Sequence, residues 1–118
     1  MTIARLLPLD IHGALESALA PALMVAPFVF GFEFAAAVVS VTVGVLILAV
    51  ALATHATERG PIPISTHAAF DVGFTIVLAT SGVLFAFVGD LAAGAFLAGA
   101  SVTLTLITSF TRYSPTHR

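Results

Sequence analysis

Residues 34–53 read FAAAVVSVTVGVLILAVALA, a run of twenty residues in which Ser40 and Thr42 carry the only polar side chains. A bilayer hydrocarbon core of about 30 Å needs about 20 apolar residues in an α-helix. The run is also too long for a barrel strand, and it lacks the strict alternation that such strands show. It therefore predicts a transmembrane helix.

Three further apolar stretches match it, at residues 11–32, 67–88 and 91–110, and the first is interrupted by Glu16 and Ser17. A chain surrounded by lipid must satisfy its backbone hydrogen bonds internally, so each stretch is expected to be helical. The predicted fold is all-α, a bundle of four transmembrane helices that forms a single membrane domain over residues 1–118.

The overall composition agrees with a lipid environment. The chain has 118 residues, 59% hydrophobic and 8% charged, with a mean hydropathy of +1.14, whereas soluble domains carry roughly 25% charged residues. The net charge is -2 and the only fixed cations are four arginines, so nothing suggests a nucleic-acid partner. The absence of cysteine excludes disulfides, thiolate metal sites and cysteine nucleophiles. The predicted partner is the lipid bilayer.

The connections between the stretches predict two helical hairpins. Residues 31–33 and 89–90 leave room only for tight turns, and a longer loop at about 55–62 separates a first unit, about 8–54, from a second, about 63–112. In this plan every arginine lies on the side of the termini and the loop: Arg5, Arg59, Arg112 and Arg118. Because cytoplasmic segments carry the excess of arginine, both termini are expected in the cytoplasm of a multi-pass cell-membrane protein.

The two units align as an internal repeat at a spacing of 55 residues. Pro8, His12 and Glu16 fall on Pro63, His67 and Asp71, and several apolar positions also coincide. Rare polar residues seldom align by chance, so they are the main evidence for the repeat. Each unit has two spans, so both copies enter the membrane in the same direction and are expected to be related by a pseudo-twofold axis along the membrane normal.

The pair of hairpins resembles the SPW-repeat family of small bacterial and archaeal membrane proteins, whose repeat is a pair of spans with a Ser-Pro-Trp-like motif near the end of the first. The corresponding residues are Ala26-Pro27-Phe28 and Ser81-Gly82-Val83, and tryptophan is absent from both. The resemblance implies a four-span membrane protein and brings no activity with it.

The candidate site consists of His12, Glu16, His67 and Asp71. Residues four apart share a helix face, so two imidazoles and two carboxylates converge if the first and third spans meet. Such a set suits a divalent Zn, Mn or Fe ion. The shallow depth of these residues favours a simpler interpretation without a cofactor, in which the histidines lie at the water interface, the acids favour the helix N-termini, and each accepts a hydrogen bond from its neighbouring histidine.

Small residues four apart mark two candidate helix-packing positions, Ser40 with Gly44 in the second span and Ala95 with Gly99 in the fourth. Such spacing lets helix backbones approach closely. Packing between the hairpins is the simpler use, and the seam of a homo-oligomer is the alternative.

These patterns favour a small non-enzymatic membrane protein, a scaffold or accessory subunit that binds a membrane-protein partner through its lipid-facing helices. The sequence has no phosphate loop, nucleophile motif or dinucleotide fingerprint. A metal- or small-ligand-binding protein that uses the four polar residues is the first alternative. A proton-coupled transporter is the second, because an acid in the first span is similar to the arrangement in small multidrug exporters. Against it, Glu16 has a counterpart in Asp71, and the uniform arginine placement opposes dual insertion.

Overall fold

The computed structural model describes residues 9–55 and 64–110, and within them it contains four α-helices. These are α1 (Leu9–Phe30), α2 (Phe34–His55), α3 (Ile64–Phe87) and α4 (Leu91–Phe110). Each is long and apolar enough to cross a membrane, which confirms the prediction of four apolar helices. The four arginines, Pro8, Pro63 and most of the predicted loop lie outside the described residues.

The outer surface of the bundle is rich in large apolar side chains. Phe34 and Phe87 are each 84% exposed, and valine, leucine and isoleucine side chains on all four helices are also exposed. In water such a surface would drive aggregation, whereas in a bilayer it is matched by hydrocarbon. The chain is therefore a small multi-pass membrane protein.

Glycine ends the first and third helices in the same way. Gly31 and Gly89 have φ angles of 70° and 99°, a left-handed conformation that glycine adopts without a Cβ penalty. After them, the amides of Phe32 and Asp90 donate to the carbonyls of Pro27 and Phe85 at 3.0 and 2.9 Å. This is the Schellman closure of a helix C-terminus, and it reverses the chain within three residues.

The first turn joins α1 and α2 into hairpin 1, and the second joins α3 and α4 into hairpin 2. The helices pack most extensively within each hairpin. Between hairpins, α2 packs on α3 and α1 packs on α4, so α1 and α3 face each other across the bundle diagonal. The central core contains large side chains from all four helices that are fully buried: Leu23, Ile47, Leu78, Leu97 and Leu104.

The two hairpins also meet at both ends of the bundle. At one end, which we call the cluster end, residues near the start of α1 contact residues near the start of α3. At the other, the turn end, the amide of Glu33 donates to Oδ2 of Asp90 at 2.7 Å. Oδ1 of Asp90 also accepts from the amide of Ala93 at 3.2 Å. Asp90 therefore caps α4 and ties it to the opposite turn.

Candidate metal centre

Four ionisable side chains project from α1 and α3 into the bundle at the cluster end. His12 and Glu16 lie one helical turn apart on α1, and His67 and Asp71 lie one turn apart on α3. The exposed fraction is 0% for His12, Glu16 and Asp71 and 2% for His67. We call these four residues the His/acid cluster.

The hydrogen bonds of the cluster cross from one hairpin to the other. Nε2 of His12 lies 2.9 Å from Oδ2 of Asp71, and Nε2 of His67 lies 3.0 Å from Oε1 of Glu16. Within each helix, the histidine and acid are also close, at 3.1 Å on α1 and 3.2 Å on α3. Each histidine thus bonds the acid of the other hairpin, and the two imidazole rings stand edge to face with centroids 5.4 Å apart.

One carboxylate oxygen of the cluster lacks a hydrogen-bond donor among the described residues. Oε2 of Glu16 is buried and accepts no hydrogen bond among the described residues, although Nε2 of His12 is only 3.1 Å away. A buried oxygen with no donor is costly. This donor deficit is what a bound cation would correct.

The ligand geometry is compatible with one metal ion. A nitrogen or oxygen atom from each of the four residues can be chosen so that all four lie within 4.8 Å of one another. Donors held about 2.0–2.2 Å from a tetrahedral zinc ion lie about 3.3–3.5 Å apart. The nitrogen–oxygen distances of 2.9–3.2 Å between histidine and acid are slightly shorter than this, so these pairs would move apart slightly to hold an ion.

Apolar side chains close the cluster on the side that faces the turn end. Ala20 and Leu23 follow Glu16 along α1, and Phe74 and Leu78 follow Asp71 along α3. These four side chains are at most 7% exposed and belong to the central core. The cluster is therefore a buried polar site at one end of a dry bundle.

No known family model matches the chain, and comparisons with curated proteins and with solved structures find no match either. The resemblance to the SPW-repeat family consequently stays a prediction based on the residues quoted above.

All four predicted site residues come together in the structure, and their burial bears on the two interpretations offered for them. Water-exposed histidines would have large accessible areas, whereas His12 and His67 have almost none. The hydrogen bonds from histidine to acid that the interfacial interpretation allowed are present, but the shortest ones run between hairpins.

The structure places the four predicted helix-packing residues in two different environments. Ser40 and Gly44 are buried within hairpin 1, where Oγ of Ser40 donates to the carbonyl of Leu23 at 2.6 Å. Ala95 and Gly99 are exposed, and a Cβ added to Gly99 would meet no atom within 4 Å. Within the described part of the chain, the first pair therefore packs α1 against α2, and the second pair faces outward.

Sequence reasoning missed the close contacts of hairpin 2 and the role of Asp90. A Cβ added to Gly82 would lie 2.7 Å from the amide nitrogen of Ala98, and one added to Gly94 would lie 2.7 Å from Cβ of Ala86. Nothing in the sequence distinguishes these glycines from the exposed ones. The capping role of Asp90 could have been predicted, because an aspartate directly before an apolar run is a common helix N-cap.

Proposed function

We propose that this chain is a small non-enzymatic membrane protein that binds one divalent metal ion between its two hairpins, with His12, Glu16, His67 and Asp71 as ligands. The observation that carries the proposal is the convergence of these four side chains, two from each hairpin, in a site shielded from solvent. Ionisable residues inside membrane spans are costly, and they are typically paired or functional.

Charge balance supports a divalent ion. Metal ligation requires neutral imidazoles, and in that state the two carboxylates leave a charge of about -2, which a single divalent cation neutralises. A neutral centre is far less costly to bury in a low-dielectric core than a charged one.

The ligand set narrows the choice of metal. Imidazole suits zinc and iron, carboxylate suits manganese, and the chain has no thiolate to favour softer ions. Four side-chain ligands would fill a four-coordinate zinc ion, as in structural zinc sites, whereas catalytic zinc sites keep one position open. Zinc is therefore the first metal to test, and a closed ligand set of this kind supports the proposal of a non-enzymatic role.

We further propose that the hairpins are copies of one unit, inserted in the same direction. The burial pattern supports a common unit, but it aligns the second helix of each hairpin at a different spacing from the first. His12 and Glu16 correspond to His67 and Asp71 at a spacing of 55 residues, but the buried positions of α2 recur in α4 at a spacing of 57. The matched pairs are Ala36 with Ala93, Ser40 with Leu97, Val43 with Ala100, Gly44 with Ser101, Ile47 with Leu104 and Val50 with Ile107.

The difference in spacing has a simple origin. Helix α3 has 24 residues and α1 has 22, so hairpin 2 is two residues longer before its turn. Ala95 and Gly99 would then not be the counterparts of Ser40 and Gly44, which agrees with their exposure.

We propose the cell membrane as the location, with the cluster end at the cytoplasmic face, from the arginine distribution in the sequence. The dry core beyond the cluster does not support a proton-coupled transporter, which needs a polar route across the bilayer. A scaffold or accessory role is compatible with metal binding, since a metal-stabilised bundle would offer its lipid-facing helices to a partner. Co-purification in mild detergent tests for that partner.

Metal analysis of the purified protein tests the proposal. The chain would be prepared metal-free with a tag that lacks histidine, dialysed against zinc, manganese or ferrous iron in turn, and analysed by mass spectrometry for bound metal. We expect about one zinc ion per chain in the wild type and none in the variant His12→Ala/His67→Ala.

The chain provides a matched control, because its other two histidines, His55 and His117, are not among the four proposed ligands. The variant His55→Ala/His117→Ala loses the same number of imidazoles and should keep the bound zinc. A wild-type protein without stoichiometric metal would refute the proposal, as would equal zinc loss in both double variants.

A further inference from the structure

We infer that a metal ion in the His/acid cluster acts as a clamp that holds the two hairpins together at the cluster end, so that metal binding regulates their separation. This inference rests on the proposed metal-binding function. It concerns what the bound ion would do to the rest of the molecule.

Each hairpin is closely packed without help from the cluster. In hairpin 1, a Cβ added to Gly44 would lie only 2.8 Å from the carbonyl oxygen of Ala20, so α1 and α2 are in backbone contact there. In hairpin 2, Gly82 and Gly94 mark the same close approach, and Oγ of Ser101 donates to the carbonyl of Thr75 at 3.0 Å. Small residues at helix contacts are the usual means of tight packing in membranes.

The interface between the hairpins is looser. No Cα atom of α1 lies within 8 Å of a Cα atom of α3 among the described residues, although their side chains meet in the cluster. A lipid-facing groove of about 720 Å³ opens beside the contact between α2 and α3, with Val39, Val43, Phe70 and Phe74 among the lining residues. The hairpins can therefore change their separation with less disruption than the helices within a hairpin.

Polar contacts join the hairpins at the two ends of this looser interface. At the turn end, the bond from the amide of Glu33 to Asp90 uses a backbone donor in a tight turn. At the cluster end, side chains of the four cluster residues contact one another across the interface. Those side chains can separate by changing rotamer, while the turn-end bond holds the other end as a pivot.

A metal ion would replace these side-chain contacts with coordination bonds to both hairpins at once. Two ligands come from α1 and two from α3, so the ion cannot be fully coordinated unless the hairpins are close. Binding therefore favours the closed arrangement in proportion to the difference in affinity between closed and open states. Packed helices at interfaces typically shift by about 1–2 Å in such transitions.

Pulsed electron spin resonance on spin-labelled full-length protein tests the clamp, and the chain helps because it contains no native cysteine. The reporting pair is Leu52→Cys on α2 with Leu106→Cys on α4, positions that are 55% and 53% exposed and lie toward the cluster end. Adding zinc should narrow the distance distribution by removing its longer distances, because an open arrangement cannot coordinate the ion fully. A chelator should reverse the change.

Two control pairs separate a clamp from a general tightening. Val72→Cys with Leu106→Cys lies within hairpin 2, and Phe34→Cys with Leu91→Cys joins the hairpins at the turn end. Both distances should stay the same when zinc binds. Equal changes in all three pairs would overturn the clamp.

Measuring bound zinc on the same labelled samples distinguishes failure of the clamp from failure of the metal site. Stoichiometric zinc with an unchanged distance between Leu52→Cys and Leu106→Cys would refute the clamp and leave the metal site standing. Absence of bound zinc would refute the metal site, and the clamp with it.

Discussion

The same substitution at two glycines should have opposite effects, because Gly44 is in contact with the neighbouring helix and Gly99 is exposed. In Gly44→Ala, the new Cβ would lie 2.8 Å from the carbonyl oxygen of Ala20 and 2.9 Å from Cγ of Met24. The carbonyl belongs to the α1 backbone, so relief requires the helices to move apart. Overpacking of this kind costs about 1–3 kcal/mol.

Both substitutions also replace glycine by alanine within a helix, which stabilises a helix by about 1 kcal/mol in water. This gain is similar at the two positions, so it cancels when the variants are compared with each other. Gly99→Ala should be neutral or stabilising, and Gly44→Ala should be less stable than Gly99→Ala by about 1–3 kcal/mol. The free energy of unfolding can be measured by reversible denaturation in mixed detergent micelles, followed by the helical circular dichroism signal.

Equal effects at the two glycines, or a larger loss at Gly99, would refute the packing described for hairpin 1. A loss at Gly99 that depends on protein concentration would further show that α4 faces a second copy of the chain, as the homo-oligomer interpretation of Ala95 and Gly99 predicts. The measurement therefore distinguishes contact within the chain from contact between chains.

Three further substitutions test individual contacts by the same unfolding measurement. Asp90→Ala removes the cap of α4 and the link to the opposite turn, and should cost about 1–2 kcal/mol; no loss would mean that the turn end does not hold the hairpins. Ser40→Ala removes the bond to the Leu23 carbonyl and should cost about 0.5–1.5 kcal/mol, while the exposed Thr103→Ala serves as its control. His12→Ala takes one donor from a buried ionic cluster and should cost about 3–5 kcal/mol in metal-free protein, and a cost near zero would mean that water solvates the cluster.

The helix boundaries show how much a local property predicts. Spans predicted at residues 11–32 and 67–88 form helices at Leu9–Phe30 and Ile64–Phe87. Hydropathy adds up residue by residue along the chain, and lipid forces each apolar run to satisfy its own backbone. The small errors fall at the ends, where the left-handed conformations of Gly31 and Gly89 determine where the chain reverses.

The cluster was only partly predictable. Spacing alone places His12 above Glu16 and His67 above Asp71, because residues four apart share a helix face. Whether the two faces meet depends on how the hairpins pack, and the pairing of each histidine with the acid of the other hairpin follows from that packing. Burial, which weighs against the interfacial interpretation, is likewise a property of the assembled bundle.

By itself, the sequence determined that the chain is a set of four membrane-spanning helices and which polar residues are rare enough to matter, since both depend on composition and local order. Only the tertiary structure decided that Gly44 lies in a helix contact while Gly99 faces outward, and that the buried positions of α2 recur in α4 at a spacing of 57 residues. The physical reason is that close packing depends on contacts between residues far apart in the chain, and a stripe of small residues has the same pattern whether it faces a helix or lipid.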